Sequence, residues 1–484
     1  MGSATVALGQ EREGTETQWT RNQVTRFLVL ALLSALLLFP TLHRQGLAGY
    51  DDSYFAHEGK EMVRTGDWWN VRFNGDFTLA HPPLFPWLEA GSFKLFGIND
   101  TAAKFPSALL GFGTIVLLYF LTLELTGESW LSLLAMLVLG STQFFLKNAT
   151  HAMTDVPFTF FFTLAIFFYI KGLKNNVYLT LLGLPLALAL LTRSVVGFLA
   201  LGIVLAHLVL TKRYKVLRSP WLICGVMLAV ALPSIWYLSQ YKLHGAAFLA
   251  SHLQFLNSKI HVESGSTGWK TIFNYPVALL KYYWPWLPFL IAGLVMEVRA
   301  AKREKDQTAI LLIVWVLFVL VPFSFAETRY PRYIMSVFPA FSILSAIALN
   351  RWIPVARRKL FFNSVCIVGC LAVCLSFLFP PKARAEDIIK LAPIAEANSS
   401  PHQRILIYSY EDGRTDFLYQ FVWYSRRYAQ LPDSLDDLAK TLLRTENATV
   451  IIDKKSYKKL LPLIPGKTPH ILGESENLIC FRIP

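Results

Sequence analysis

Apolar residues in this chain collect into runs of about 16 to 21, the length an α-helix needs to cross a lipid bilayer. They fall at 26–43, 105–125, 130–147, 154–170, 177–192, 195–211, 219–238, 280–298, 308–326, 333–350 and 360–380. With 54% of its 484 residues hydrophobic, the chain is too apolar for an ordinary soluble protein. The pattern predicts a mostly α, polytopic membrane protein with about eleven transmembrane helices, and up to about thirteen. The first run has no small-residue cleavage site after it, so it reads as an uncleaved span and not as a signal peptide.

The placement of charge then orients the chain. Basic residues outnumber acidic ones 46 to 32, a net charge of +14. Short connectors carry Lys212-Arg213-Lys215-Arg218, Arg299-Lys302-Arg303-Lys305 and Arg351-Arg357-Arg358-Lys359. An eleven-span arrangement puts all three on one side, and the positive-inside rule makes that side cytoplasmic. The N-terminus is then inside, while loops 44–104 and 239–279 and the tail 381–484 face outward. The bilayer accounts for the basic excess, so no nucleic-acid partner is implied. Cys366, Cys370 and Cys374 line one face of an apolar helix without histidine or acidic company, Cys224 lies in a span, and Cys480 is alone in the tail. They indicate neither a disulfide framework nor a metal site.

The first outer loop opens on Tyr50-Asp51-Asp52-Ser53-Tyr54. Adjacent carboxylates at a membrane surface are costly unless something pairs or uses them. Phe55, Gly59, Met62 and Val63 recur at helical spacing, Glu58 and Lys60 through Arg64 supply a polar side, and Gly66 stops the helix. The acids stand at the helix start, where the dipole favours anions. Two readings stay open here, a cap with its neighbour and a reactive pair. After an Asn74-Gly75-Asp76 turn signal come His81-Pro82-Pro83 and a stripe of Leu84, Trp87, Leu88, Gly91 and Leu95 closed by Gly97. The tryptophans suggest helices lying on the outer membrane surface.

Further ionisable groups stand at the outer ends of spans: Asp155, Arg193, and Glu327, Arg329 and Arg332 before the tenth. Singly each reads as a snorkelling or capping charge. Together they place two acidic and several basic groups on one membrane face. His244, His252 and His261 in the loop 239–279 are spaced too irregularly to share a helix face, a weak metal signal. In the tail, strand-like runs at Arg404–Tyr408, Thr449–Asp453 and Leu478–Ile483 alternate with helical patterns at Asp416–Tyr424, Leu435–Leu443 and Tyr457–Leu463. They predict a small C-terminal α/β domain, 381–484, with parallel strand pairing, following a transmembrane domain of 1–380. The tail has no phosphate loop or nucleophile motif and reads as a cover or acceptor-docking domain.

An outward cavity lined by carboxylates and guanidinium groups suits a lipid-anchored phosphate. Arginine forks bind phosphate, apolar spans hold a polyprenyl tail, and a carboxylate can take an acceptor proton during sugar transfer. The residues also resemble a known family. Asp51-Asp52-Ser53-Tyr54-Phe55-Ala56-His57-Glu58-Gly59-Lys60-Glu61-Met62, followed by Thr65-Gly66-Asp67-Trp68, is similar to the D-E-x-x-Y-A-x-x-x-x-E-M … G-D-W signature of the protein mannosyltransferase-like GT-C glycosyltransferases, which include the transferases that add aminoarabinose to lipid A. His81-Pro82-Pro83, Lys104-Phe105-Pro106-Ser107, Met153-Thr154-Asp155, Leu191-Thr192-Arg193 and Arg332-Tyr333-Ile334 follow in family order, covering residues 50 to about 340.

The resemblance implies an integral plasma-membrane (bacterial inner-membrane) transferase that moves a sugar from a polyprenyl-phosphate carrier to an extracytoplasmic acceptor, whether a lipid A-like lipid, a glycan or a protein. By the same resemblance Asp51 is the base, with Asp52 beside it and Asp155 the acid of the second outer loop. Arg193 stands where the family has an L-T-K-G lysine near the phosphate, and Tyr333 where a tyrosine contacts it. Arg332, His81 and His252, the last in a Phe-x-x-x-His element, complete the donor side. In one departure Ala80-His81-Pro82 replaces the Glu-Lys-Pro of many relatives. The Glu there is described as a metal ligand, so a divalent metal is left open, and His81 substitutes for the Lys only when protonated or as a neutral donor. The rival class is a lipid or polysaccharide flippase, which calls for charges near the midplane and paired repeats. Sugar, acceptor and oligomeric state are not legible.

Overall fold

A computed structural model describes residues 21–43, 46–47, 49–260, 274–325, 330–379, 385–409 and 416–483. Among them, eight helical segments are long and apolar enough to cross a membrane: Arg21–Thr41, Asp100–Thr126, Asp155–Gly172, Val177–Leu210, Pro220–His244, Gln307–Phe325, Pro331–Trp352 and Val355–Leu378. A ninth candidate, Ser129–Ser141 with Gln143–Ala149, bends by 65°. The break falls at Thr142, whose backbone is extended and whose Oγ1 donates to the Val138 carbonyl at 2.6 Å, drawing that group out of the helical ladder. The runs expected at 177–192 and 195–211 form one apolar stretch interrupted at Ser194. The run expected at 280–298 spans two helices, Asn274–Tyr282 and Leu287–Arg303.

The chain divides into two compact units. One takes residues up to 41, 79–85 and 106–379, and the other 42–78, 86–105 and 380 onward. The first is helical, and its helices approach closely through small residues. A Cβ on Gly225 would stand 2.2 Å from the Leu179 carbonyl oxygen, and one on Gly293 would stand 2.0 Å from that of Leu344.

The second unit joins the loop after the first span to the tail. Its loop part holds the helix Gly49–Thr65, the hairpin β1 (Arg72–Phe73) and β2 (Asp76–Phe77), and most of the helix Leu84–Phe96. Asn74 and Gly75 turn the hairpin with φ of 54° and 89°, the left-handed conformations such a turn requires. Its tail part is a five-stranded sheet of β3 (Ile405–Tyr408), β4 (Ala429–Gln430), β5 (Ala448–Asp453), β6 (His470–Glu474) and β7 (Leu478–Ile483), in the order β4-β3-β5-β7-β6. Alternate residues point to opposite faces. Ile405, Ile407 and Ile451 pack with Ile388, Leu391 and Phe421, while Leu406, Val450 and Ile452 pack with Leu438, Leu442 and Leu460.

The parallel pairing expected throughout holds only for β4, β3 and β5; β7 runs antiparallel to both β5 and β6. The reason is connection length. β6 and β7 are joined by a tight turn closed by Ser475 N–H to the Leu478 carbonyl at 2.9 Å, and a parallel crossover needs a dozen residues or more.

Candidate active site

The helix Gly49–Thr65 carries Asp51 and Asp52 in its first turn. Asp51 is partly exposed and Asp52 fully buried. The polar side of the helix is buried: Glu58 and Glu61 are fully buried and Lys60 nearly so. The tail helix Asp416–Tyr424 covers it. Lys60 Nζ donates to the carbonyls of Val422, Trp423 and Ser425 at 2.9, 2.7 and 2.6 Å, closing the C-terminal end of that helix. Burial pulls the Lys60 amine down to about 7, yet three acceptors match the three N–H groups of an ammonium. Glu61 accepts from Arg64 at 3.0 Å and from the Tyr428 hydroxyl at 2.9 Å.

Glu58 and Glu89 form a second group. A Cβ on Gly59 would come 2.8 Å from the Glu89 Cβ, so the two loop helices touch where these acids lie. Burial pushes both carboxyls well above the usual range. For Glu58 the hydroxyls of Tyr54 and Thr78 pull back, whereas the charges of Glu58 and Asp52 push Glu89 further up. Neither Glu89 oxygen has a hydrogen-bond partner among the described residues. The fold therefore favours the neutral form of Glu89, and a raised carboxyl contributes fully below its unfolded value and loses that contribution as pH rises through its folded value. The wild type should lose more thermal stability than Glu89→Gln between about pH 4 and pH 8, with the two differing least near pH 4. Parallel melting curves at the two pH values check this, and equal losses would mean an ionised Glu89.

In the helical unit, Asp155 opens the helix Asp155–Gly172 and Arg193 ends Gly183–Arg193. Arg193 Nη2 meets Asp155 Oδ1 at 2.6 Å, and its Nε donates to Thr154 Oγ1 at 3.2 Å. The guanidinium carbon stands 5.5 Å from the Tyr333 ring centroid and 5.8 Å from that of Phe158. Asp155, Arg193 and Tyr333 are thus brought together. Arg332 lies over the Tyr330 ring at 4.9 Å and reaches Met153 Sδ at 4.0 Å.

Ser194 follows with φ 52° and ψ −138°, a conformation rare for any residue but glycine. Its Oγ holds His252 Nε2 at 2.9 Å and accepts from the Tyr237 hydroxyl at 3.1 Å. Burial lowers the His252 imidazole, opposed by the backbone of Ala80 and Leu79. The His81 ring lies edge-on to Phe255 at 5.8 Å. His261, Glu327 and Arg329 lie outside the described residues. Sequence reasoning passed over Ser194 and Tyr237. A serine following the L-T-R triplet, where the resembled motif has glycine, was the available signal.

Among the described residues no three His, Cys, Asp or Glu side chains gather as a metal site. The apolar helices and the polar clusters at their ends define an integral membrane protein with the makings of a transferase. Residues 80–237 match the family profile described as dolichyl-phosphate-mannose-protein mannosyltransferase. An uncharacterized protein of Aquifex aeolicus is 29% identical over 73% of this chain and 70% of its own. The undecaprenyl phosphate-alpha-4-amino-4-deoxy-L-arabinose arabinosyl transferase of Serratia proteamaculans is 25% identical over 73% of this chain, which spans 66% of that enzyme. Crystal structures of ArnT from Cupriavidus metallidurans share the fold. The apo form gives a TM-score of 0.77 at 17% identity over 95% of this chain and 98% of that one, and the form bound to undecaprenyl phosphate gives 0.74 at 16% over the same shares. In sequence and fold the chain is thus similar to the GT-C glycosyltransferases of the protein mannosyltransferase and lipid A aminoarabinose transferase superfamily.

Proposed function

We propose that the protein transfers a sugar from an undecaprenyl-type phosphate carrier to an acceptor on the outer side of the bacterial inner membrane. The observation that carries this is the Asp155–Arg193–Tyr333 cluster, an arginine fork held by a buried carboxylate and an aromatic face at the end of an apolar helix. A fork gripped on one side still offers N–H groups on another, which suits a phosphate monoester on a lipid chain. The names of the aminoarabinosyl relatives and the lipid bound to the C. metallidurans enzyme support the same donor class. Arg332, His81 and His252 serve the donor side in this reading. Asp51, on a partly exposed first turn, takes the acceptor proton, while buried Asp52 holds the turn. The purified protein should release undecaprenyl phosphate from undecaprenyl phosphate-4-amino-4-deoxy-L-arabinose, or from another sugar on that carrier, in the presence of envelope lipids. Relocation of an intact lipid-linked sugar across vesicles would overturn transfer in favour of transport.

The eleven-crossing topology belongs to the same reading, with the N-terminus cytoplasmic and the tail outside. Reporter fusions after residues 215, 303 and 357 should report cytoplasm, and fusions after 260 and 400 the outer compartment. A tail fusion reporting cytoplasm would overturn the orientation.

A further inference from the structure

The tail helix Asp416–Tyr424 runs alongside the acidic helix in the same direction. Its start meets the first turn at Gly49, Tyr50 and Tyr54, and its end meets Lys60. The rings of Tyr50 and Tyr419 lie 4.3 Å apart, and Tyr419 also packs on Tyr54 at 5.7 Å and Phe73 at 5.1 Å. The two phenols interact through their polar ends as well as their rings, and both feel the charge of Asp51. A Cβ on Gly49 would meet Asp416 Oδ2 at 2.8 Å, which leaves no slack between the two helix starts. Tyr50 is 47% exposed, so this aromatic group reaches the surface.

A first helical turn has no intrahelical partners for its N–H groups and is the part of a helix that frays. A general base placed there needs support from outside its own helix, because a small misplacement of a reacting group costs rate steeply. Lys60 anchors the acidic helix about three turns further on, away from the start. We propose that Tyr419, contributed by the C-terminal tail, is a positioning residue for Asp51: its ring, packed on Tyr50 and Tyr54, fixes the first turn of the acidic helix, and its hydroxyl acts with the Tyr50 phenol to fix the side of the turn on which the Asp51 carboxylate waits for the acceptor. The inference rests on the reading of Asp51 as the base. It gives the tail a part in turnover although the tail carries no reacting group.

The test uses the full-length protein with undecaprenyl phosphate-4-amino-4-deoxy-L-arabinose as donor probe and an envelope lipid extract as acceptor. Tyr419→Phe keeps the ring and removes the hydroxyl. It should lower kcat about tenfold, with the donor KM and the unfolding temperature unchanged. Tyr419→Ala should lower kcat further and also the unfolding temperature. In an Asp51→Asn background Tyr419→Phe should have no added effect, since a residue acting through another has nothing left to position. Wild-type kcat in Tyr419→Phe, or a loss that multiplies with that of Asp51→Asn, would overturn the proposal while leaving the base in place. Full turnover by Asp51→Asn would remove the base reading, and this proposal with it.

Discussion

Asp51→Asn should lower turnover by about 10²-fold or more while expression, donor binding and unfolding temperature stay near wild type. The substitution keeps size and polarity, and asparagine at a helix start still accepts hydrogen bonds from the first-turn N–H groups. What it removes is the ability to take a proton. Asp52→Asn should show the reverse balance, a smaller loss of turnover with a larger loss of stability. Asp52 is fully buried, and its charge sits at the positive end of the helix dipole. A purely structural acidic pair predicts that both variants lose stability and neither loses turnover selectively. Measuring turnover, donor binding and melting on both purified proteins separates the cases. If Asp51→Asn is fully active, the next candidate base is Asp155.

Arg193→Ala carries the second large effect. The side chain is 16% exposed and that of its partner Asp155 3%, so removing the guanidinium leaves a buried carboxylate without its counter-charge. Breaking a buried pair in this way typically costs about 3–5 kcal/mol. Arg193→Ala should therefore lose donor use and much of its thermal stability together. Arg193→Lys keeps the charge but loses the second hydrogen bond, to Thr154, and should recover stability more than donor use. Tyr333→Phe keeps the aromatic face beneath the guanidinium and should raise the donor KM without a stability loss. Unchanged donor kinetics in Arg193→Ala and Tyr333→Phe would move the phosphate elsewhere.

The helices near the acids show how far local pattern reaches. The helix at 49–65, the hairpin turn at Asn74-Gly75 and the tail helix Asp416–Tyr424 follow from capping residues, a turn dipeptide and an apolar stripe. Each is a signal within one or two turns of chain. The same reading assigned Glu58 and Lys60 to a polar side and no further, because polarity along a helix says which side is polar and not what covers it. Lys60 donates to carbonyls 362 to 365 residues further on, and no period in the sequence encodes such a partner. Glu89 is similar: its spacing fits an ordinary exposed position, and only the close passage of Gly59 buries it. In the sheet, the fully buried β5 was legible as an apolar run, whereas two-residue β4 and largely exposed β6 were not.

The sequence by itself determined the membrane-spanning character, the positions of the apolar helices, and the residue types available for handling a lipid-linked phosphate. It does so because bilayer thickness and helix rise make span length a local property, and because charge at span ends is written in the chain. The tertiary structure alone decided that Arg193 pairs with Asp155 and faces Tyr333, that Ser194 is held in a strained turn between His252 and Tyr237, and that a tail helix supports the turn bearing Asp51. Those are contacts between segments distant in sequence, fixed by how helices and loops pack, and packing depends on shape complementarity between surfaces that no local pattern describes.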